Sequence, residues 1–376
     1  MRSKNLYTHP SWRSLLQLVF GLVLAVSACI PSVTTAPSAA TAPVVTIVPT
    51  QTGPVTLNVM THDSFAASEP VIAQFESQNN VKLNFTKSGD AGSLVNKAIL
   101  SKNAPLADVL YGVDNTFLSR ALDAGIFSAY HSALLANIPS QYRLDTSDQA
   151  LPVDYGDVCI NYDKAYFSSN KLAIPANLED LLKPDYKGML VVENPAVSST
   201  GLAFMLATIT HFGSDGFQAY WKSLRDNGVV VVNDWETAYY TNFSGSSGKG
   251  AQPLVVSYAT SPVAEVVFSK DPIQDSPTAS IVGPDTCFRQ VEFVGILNGT
   301  KQRALAEKFV DFMLGASFQE DMPLQMYVYP VNPGAKLPDS YLKYAQVPAK
   351  PAQISPDEIN KNRDSWIQQW KDIVLK

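Results

Sequence analysis

The chain has 376 residues, 46% of them hydrophobic and 16% charged, with a formal net charge of −6. That balance is ordinary for a globular protein, and without a basic run it excludes nucleic acid as an expected partner. Four histidines, with no HExxH or CxxC spacing, exclude the usual zinc sites.

The first element is a leader. Arg2, Lys4 and Arg13 precede a largely apolar run over residues 15–28. It is too short for an ordinary spanning helix and fits the apolar region of a secretion signal, so residues 1–28 are expected to be a signal peptide. Residues 29–54 are rich in Thr, Pro, Ala and Val and almost uncharged, and are expected to form an extended tether. Cys29 stands at the border between the two. The run Val26-Ser27-Ala28-Cys29 resembles the bacterial lipobox, whose cysteine receives lipid and becomes the mature N-terminus. That resemblance implies a lipidated Cys29 and an extracytoplasmic, membrane-anchored protein. Cys159 and Cys287 then remain as a pair, and an oxidising compartment favours a disulfide between them.

About 320 residues follow, enough for two domains. Residues 55–60 alternate as a strand. Ser68 offers an N-cap, with Glu69 and Pro70 in the first turn and Val71, Ile72 and Phe75 as apolar positions. Residues 81–85 alternate again, 92–102 read as a helix and 107–114 as a buried strand. A helix over 115–123 ends near Gly125. This β-α-β-α-β-α order predicts a parallel sheet with flanking helices. The second half reads as strands over 157–164, 189–195, 229–234, 253–262 and 287–297. Its helices are expected over 198–213, 217–228 and 303–314, with a short helix and turn over 177–188. The tail carries a capping box, Ser355 with Glu358, around Pro356, then a stripe of Ile359, Trp366, Ile367 and Trp370.

Seven segments carry a wider resemblance: THDSFAA (61–67), ADVLYGVDN (107–115), VDYGDVCINYDK (153–164), NPAVSSTGL (194–202), NDWETAY (233–239), SYATSP (257–262) and MYVYPVN (326–332). In this order they resemble the two-lobed substrate-binding proteins of bacterial ABC importers, and within them the thiamine-binding branch. The iron(III)-binding branch is the next most similar. The resemblance implies a type II periplasmic-binding-protein-like α/β fold. Lobe one would be residues 55–156 plus 289–376 and lobe two 157–288, with the ligand in the cleft between them. It further implies thiamine or a thiamine phosphate as the small-molecule ligand, an ABC permease as partner, and neither enzymatic activity nor a cofactor. A monomer is expected. The Cys159–Cys287 bond would tie the two crossing segments together.

The residues supply chemistry for such a ligand. Asp63, Asp90 and Ala91 follow the first two strands, where ligands collect in parallel sheets. Ser198 and Ser199 open a helix whose free N–H groups suit an anion, and the resemblance puts both at the ligand. Trp235, flanked by Asp234 and Glu236, suits a flat cationic guest, with Tyr239 and Tyr240 one turn on. Tyr258, Ala259, Thr260 and Ser261 match a ligand-contacting turn of the family. Tyr327 stands where the family tends to have tryptophan, His62 where the thiamine branch usually has tyrosine, and Ala264 where another aromatic is expected. The alternative is an iron(III)-binding protein that uses Tyr239 and Tyr240 with carboxylates. A third reading, an enzyme on the same fold, would need a nucleophilic cysteine in the cleft.

Overall fold

The computed structural model describes residues 53–247 and 250–376. The expected signal segment, the lipidation site Cys29 and residues 29–52 of the tether lie outside them. Eleven strands join in one mixed sheet. They are β1 (Val55–Thr61), β2 (Val81–Lys87), β3 (Val109–Asp114), β4 (Phe127–Ser128), β5 (Leu151–Asp163), β6 (Leu190–Glu193), β7 (Val230–Val232), β8 (Leu254–Tyr258), β9 (Thr278–Ile281), β10 (Phe288–Leu297) and β11 (Tyr329–Pro330). The spatial order is β2-β1-β3-β10-β5-β8-β6-β7. β1 is parallel to β2 and β3, and β6 is parallel to β7 and β8. The long strands β10 and β5 run antiparallel between these two parallel sets.

Those two strands make the fold two-lobed. β5 pairs with β10 from Leu151 to Val158, then with β8 from Val158 to Tyr162. One continuous strand therefore leaves the first parallel set and enters the second at residue 158. Every residue of β3 is buried, as expected for a strand covered on both faces. β5 extends the expected strand backwards, because Leu151, Pro152 and Val153 continue its buried run.

Helices close both sides. In the first half, Phe75 packs against Phe309 and Phe312, with centroids 5.2 and 5.0 Å away, and Phe312 meets Phe318 at 5.6 Å. In the second, Trp221 meets Phe204 and Trp370 edge-on at 5.6 and 5.5 Å. The helices expected over 198–213 and 217–228 form one run, Ser199–Asp226, broken at Gly213, whose φ of 75° is open to glycine at little cost. The last helix, Pro356–Val374, starts with the expected cap, Glu358 N–H donating to the Ser355 hydroxyl at 3.2 Å. It touches both halves, through Trp370 on Trp221 and through Arg363 donating to Ser119 at 3.2 Å. Ser68 occupies its cap position without a side-chain bond, and its backbone N–H donates to Asp321 instead. Cys159 and Cys287 are joined by a disulfide with Cα atoms 4.3 Å apart. It sits beside the Val158–Phe288 register pair of the crossing strands.

Candidate functional site

The parallel strands of the two halves end at one cavity. β1 ends at Thr61 and is followed by His62 and Ser64, and β2 leads to Asp90. β6 leads to the helix that begins at Ser199, β7 to Trp235, and β8 ends at Tyr258 ahead of Ser261. Counting its open mouth, the cavity spans about 650 Å³. Ligand sites in open parallel sheets form at such strand ends.

One wall is aromatic. The Trp235 indole stacks on Tyr239, with centroids 5.0 Å apart and planes at 17°. Tyr240 stands edge-on to Trp235 at 5.5 Å. The indole N–H donates to the Ser257 hydroxyl at 2.9 Å, which in turn shares a hydrogen with Ser261 at 2.8 Å. Tyr258 and Tyr327 complete the wall. Tyr258 lies across Gly156, where a Cβ would come within 2.8 Å of its ring. Its hydroxyl donates to Gln290 at 2.8 Å. Tyr327 sits at φ 57°, and its buried hydroxyl has no partner.

The other wall is acidic. Asp90 caps the helix Ala91–Leu100, accepting from Ala91 N–H at 3.1 Å, and accepts from Trp235 N–H at 3.3 Å. The second bond crosses from the first half to the second. Burial pushes the Asp90 carboxyl up, against the pull of the Ser198 hydroxyl and His62. Glu292, on β10, lies 3.7 Å from His62 Nε2 and accepts from the Tyr111 hydroxyl at 3.0 Å. Burial pushes Glu292 up, but the nearby His62 charge and the hydrogen bond from the Tyr111 hydroxyl help to hold it low. Tyr111 also donates to Asp154 at 2.5 Å, and Asp154 is driven well above the usual range by burial and by Glu292. Neither lysine nor arginine lines the cavity among the described residues.

Of the residues singled out from the sequence, Asp90, Ser199, Trp235, Tyr239, Tyr258, Ser261 and Tyr327 line this cavity together. The other five expected contacts lie off it. The Asp63 carboxylate is taken up by the Gly89 N–H at 2.8 Å. Ala91 is packed into the core of the first half. Ser198 is fully buried, its hydroxyl 3.0 Å from that of Thr200. Ala259 packs beside the disulfide, and the Thr260 hydroxyl donates to the Tyr327 carbonyl. These five shape the cavity from behind. Glu292, Met326 and Val328 also line it without having been singled out as contacts. The signal for Glu292 was a lone acid within the apolar strand read over 287–297.

Tyr239, named in the iron reading, is already engaged. Tyr239 donates its hydroxyl to Glu265 at 2.8 Å, and burial drives that phenol well above its ordinary range. Among the described residues no group of three or more His, Cys, Asp or Glu side chains is placed to hold a metal ion.

Two parallel sets, two crossing strands and a cavity at their shared ends define a solute-binding protein. The family model described as bacterial extracellular solute-binding protein matches residues 104–362, and the chain belongs to that family. The "Thiamine-binding periplasmic protein" of Escherichia coli (strain K12) is 33% identical over 326 residues, covering 85% of this chain and 94% of its own. The protein of the same name from Haemophilus influenzae is 27% identical over 328 residues, covering 85% and 92%. A solved "Periplasmic thiamin binding protein" superposes with a TM-score of 0.75 at 29% identity, over 87% of this chain and 98% of its own. A ferric binding protein from Campylobacter jejuni, at TM-score 0.68 and 21% identity over 84% and 99%, shares the fold. The protein thus has a substrate-binding role outside the cytoplasm. No helix among the described residues is long and apolar enough to cross a membrane.

Proposed function

We propose that the protein captures thiamine, or a thiamine phosphate, outside the cytoplasm and delivers it to an ABC permease. The observation that carries this is the Trp235–Tyr239 stack in one cavity with Asp90 and Glu292. Thiamine joins a permanently charged thiazolium to a flat aminopyrimidine. Rings recognise such a guest through stacking and cation–π attraction, and carboxylates through charge. The names of the relatives support the same ligand. For a phosphate ester, Ser199 and Thr200 would offer hydroxyls and helix N–H groups.

On this reading residues 55–156 and 289–376 form one lobe and 157–288 the other, and the lobes close on the ligand. Cys29 carries lipid, residues 29–54 tether the body to the membrane, and the protein acts as a monomer without a cofactor. Calorimetric titration of the purified protein with thiamine tests the ligand. Saturable binding is expected, with Trp235→Ala weakened, and absence of binding would sink the reading.

A further inference from the structure

We propose that His62 acts as the cavity's own stand-in cation, paired with Glu292 until a positively charged guest enters and then releasing its proton to solvent, so that capture is coupled to proton release. The inference rests on the cationic-ligand reading above. It starts from placement. His62 is buried and lines the cavity, and its Nε2 lies 3.7 Å from Glu292 Oε2, too far for a hydrogen bond. The ring is pinned against bare backbone. A Cβ at Gly112, whose φ is +104°, would come within 2.3 Å of it. It also meets the Tyr111 ring, at 5.7 Å between centroids.

Three carboxylates act on His62. Glu292 faces it from β10, Asp90 from the helix cap, and Asp63 from its own segment. Tyr111 on β3 links Glu292 to Asp154 of β5, and Glu292 in turn helps raise the Asp114 carboxyl. Burial alone would strip the imidazole of its proton, yet these carboxylates outweigh it and hold His62 above the ordinary histidine value. Asp90 and Glu292 also line the cavity, so a guest cation takes the same partners. Two positive charges then share one enclosed space, and only the imidazolium can lose its charge. The proton leaves a ring nitrogen for water, and no bond to the guest forms.

The sign follows by linkage. Below the free-protein pKa the guest must displace a proton, and above it the ring is already neutral. Affinity therefore rises with pH through that range, by about ten-fold per pH unit at most, and then levels. The test is calorimetry of the full chain with thiamine chloride in phosphate and in Tris, between about pH 6 and pH 8. Apparent heats should differ between buffers as a proton is released, and His62→Gln should abolish both that difference and the pH slope. Equal heats in the two buffers, or release that persists in His62→Gln, would overturn the inference while leaving thiamine capture intact. No thiamine binding at any pH would fail the ligand reading and this inference with it. Should the variant not fold, ring NMR of the wild-type histidines decides. The His62 titration should move down on adding thiamine, and an unmoved titration refutes the proposal.

Discussion

At Trp235 three constraints meet. Ser257 holds the indole N–H, Tyr239 covers one ring face, and Asp90 holds the backbone N–H. A ring fixed in this way loses little conformational freedom when a guest stacks on it, which is how aromatic anchors come to dominate binding energy. Trp235→Ala is expected to weaken thiamine binding by roughly 2 kcal/mol or more, read by calorimetry, and an unchanged affinity would remove the indole from the site. Glu193 makes a different prediction. It ends β6 fully buried, with Asp90 close enough to repel it. Burial, then Asp90, drives its carboxyl well above the ordinary value of 4.5. The folded chain thus holds this proton to higher pH than the unfolded chain does. The stabilisation is full below that ordinary value and is lost as pH rises through the raised one. Glu193→Gln removes the titration, so the variant should gain on the wild type between about pH 5 and pH 8, by on the order of 1 kcal/mol per pH unit at most. Urea unfolding at both pH values measures this, and a pH-independent gap would show that Glu193 ionises normally.

Elements were legible where one local signal decided them. The helix expected over 303–314 is the helix Arg303–Leu314, because its apolar spacing is uninterrupted. Ser355 and Glu358 marked the last helix start through a cap that needs no distant partner. The segment from Trp235 onward was not assigned a form. It is one π-helical turn, Thr237–Asn242, which has no local periodicity to reveal it. Of the site, the aromatic turns at Trp235 and Tyr258 were readable, because each stands at the end of a strand beside carboxylates or hydroxyls, and both line the cavity. Asp63 was ambiguous because a carboxylate after a strand looks the same whether it faces a ligand or caps a neighbouring loop, and here it accepts from the Gly89 N–H. Glu292 escaped because its role depends on Tyr111 and His62, remote in sequence and adjacent only once β3 and β10 have paired. Beyond the folded body, Cys29→Ser should release the protein from the membrane fraction into the soluble one. Retention of the variant on membranes would refute lipidation at that cysteine.

For the molecule as a whole, the closure proposed above would be governed by what spans both halves. The crossing strands do so, and so does the last helix, which meets Trp221 on one side and Ser119 on the other. Bending in binding proteins is concentrated in a few backbone positions at such crossings, and here the cystine lies beside them. Cys159 and Cys287 are 128 positions apart in sequence, so the bond stitches nearly the whole inserted half into a covalent ring. A backbone cut inside that ring opens it without dividing the molecule. Lys270 lies exposed in the loop between the helix Ser261–Val267 and β9, and trypsin cleavage there should leave a single band on a non-reducing gel and two fragments once thiol is added. Two fragments without thiol would mean that the ring is open. Outside the cytoplasm, such a nick would leave the binding protein in one piece.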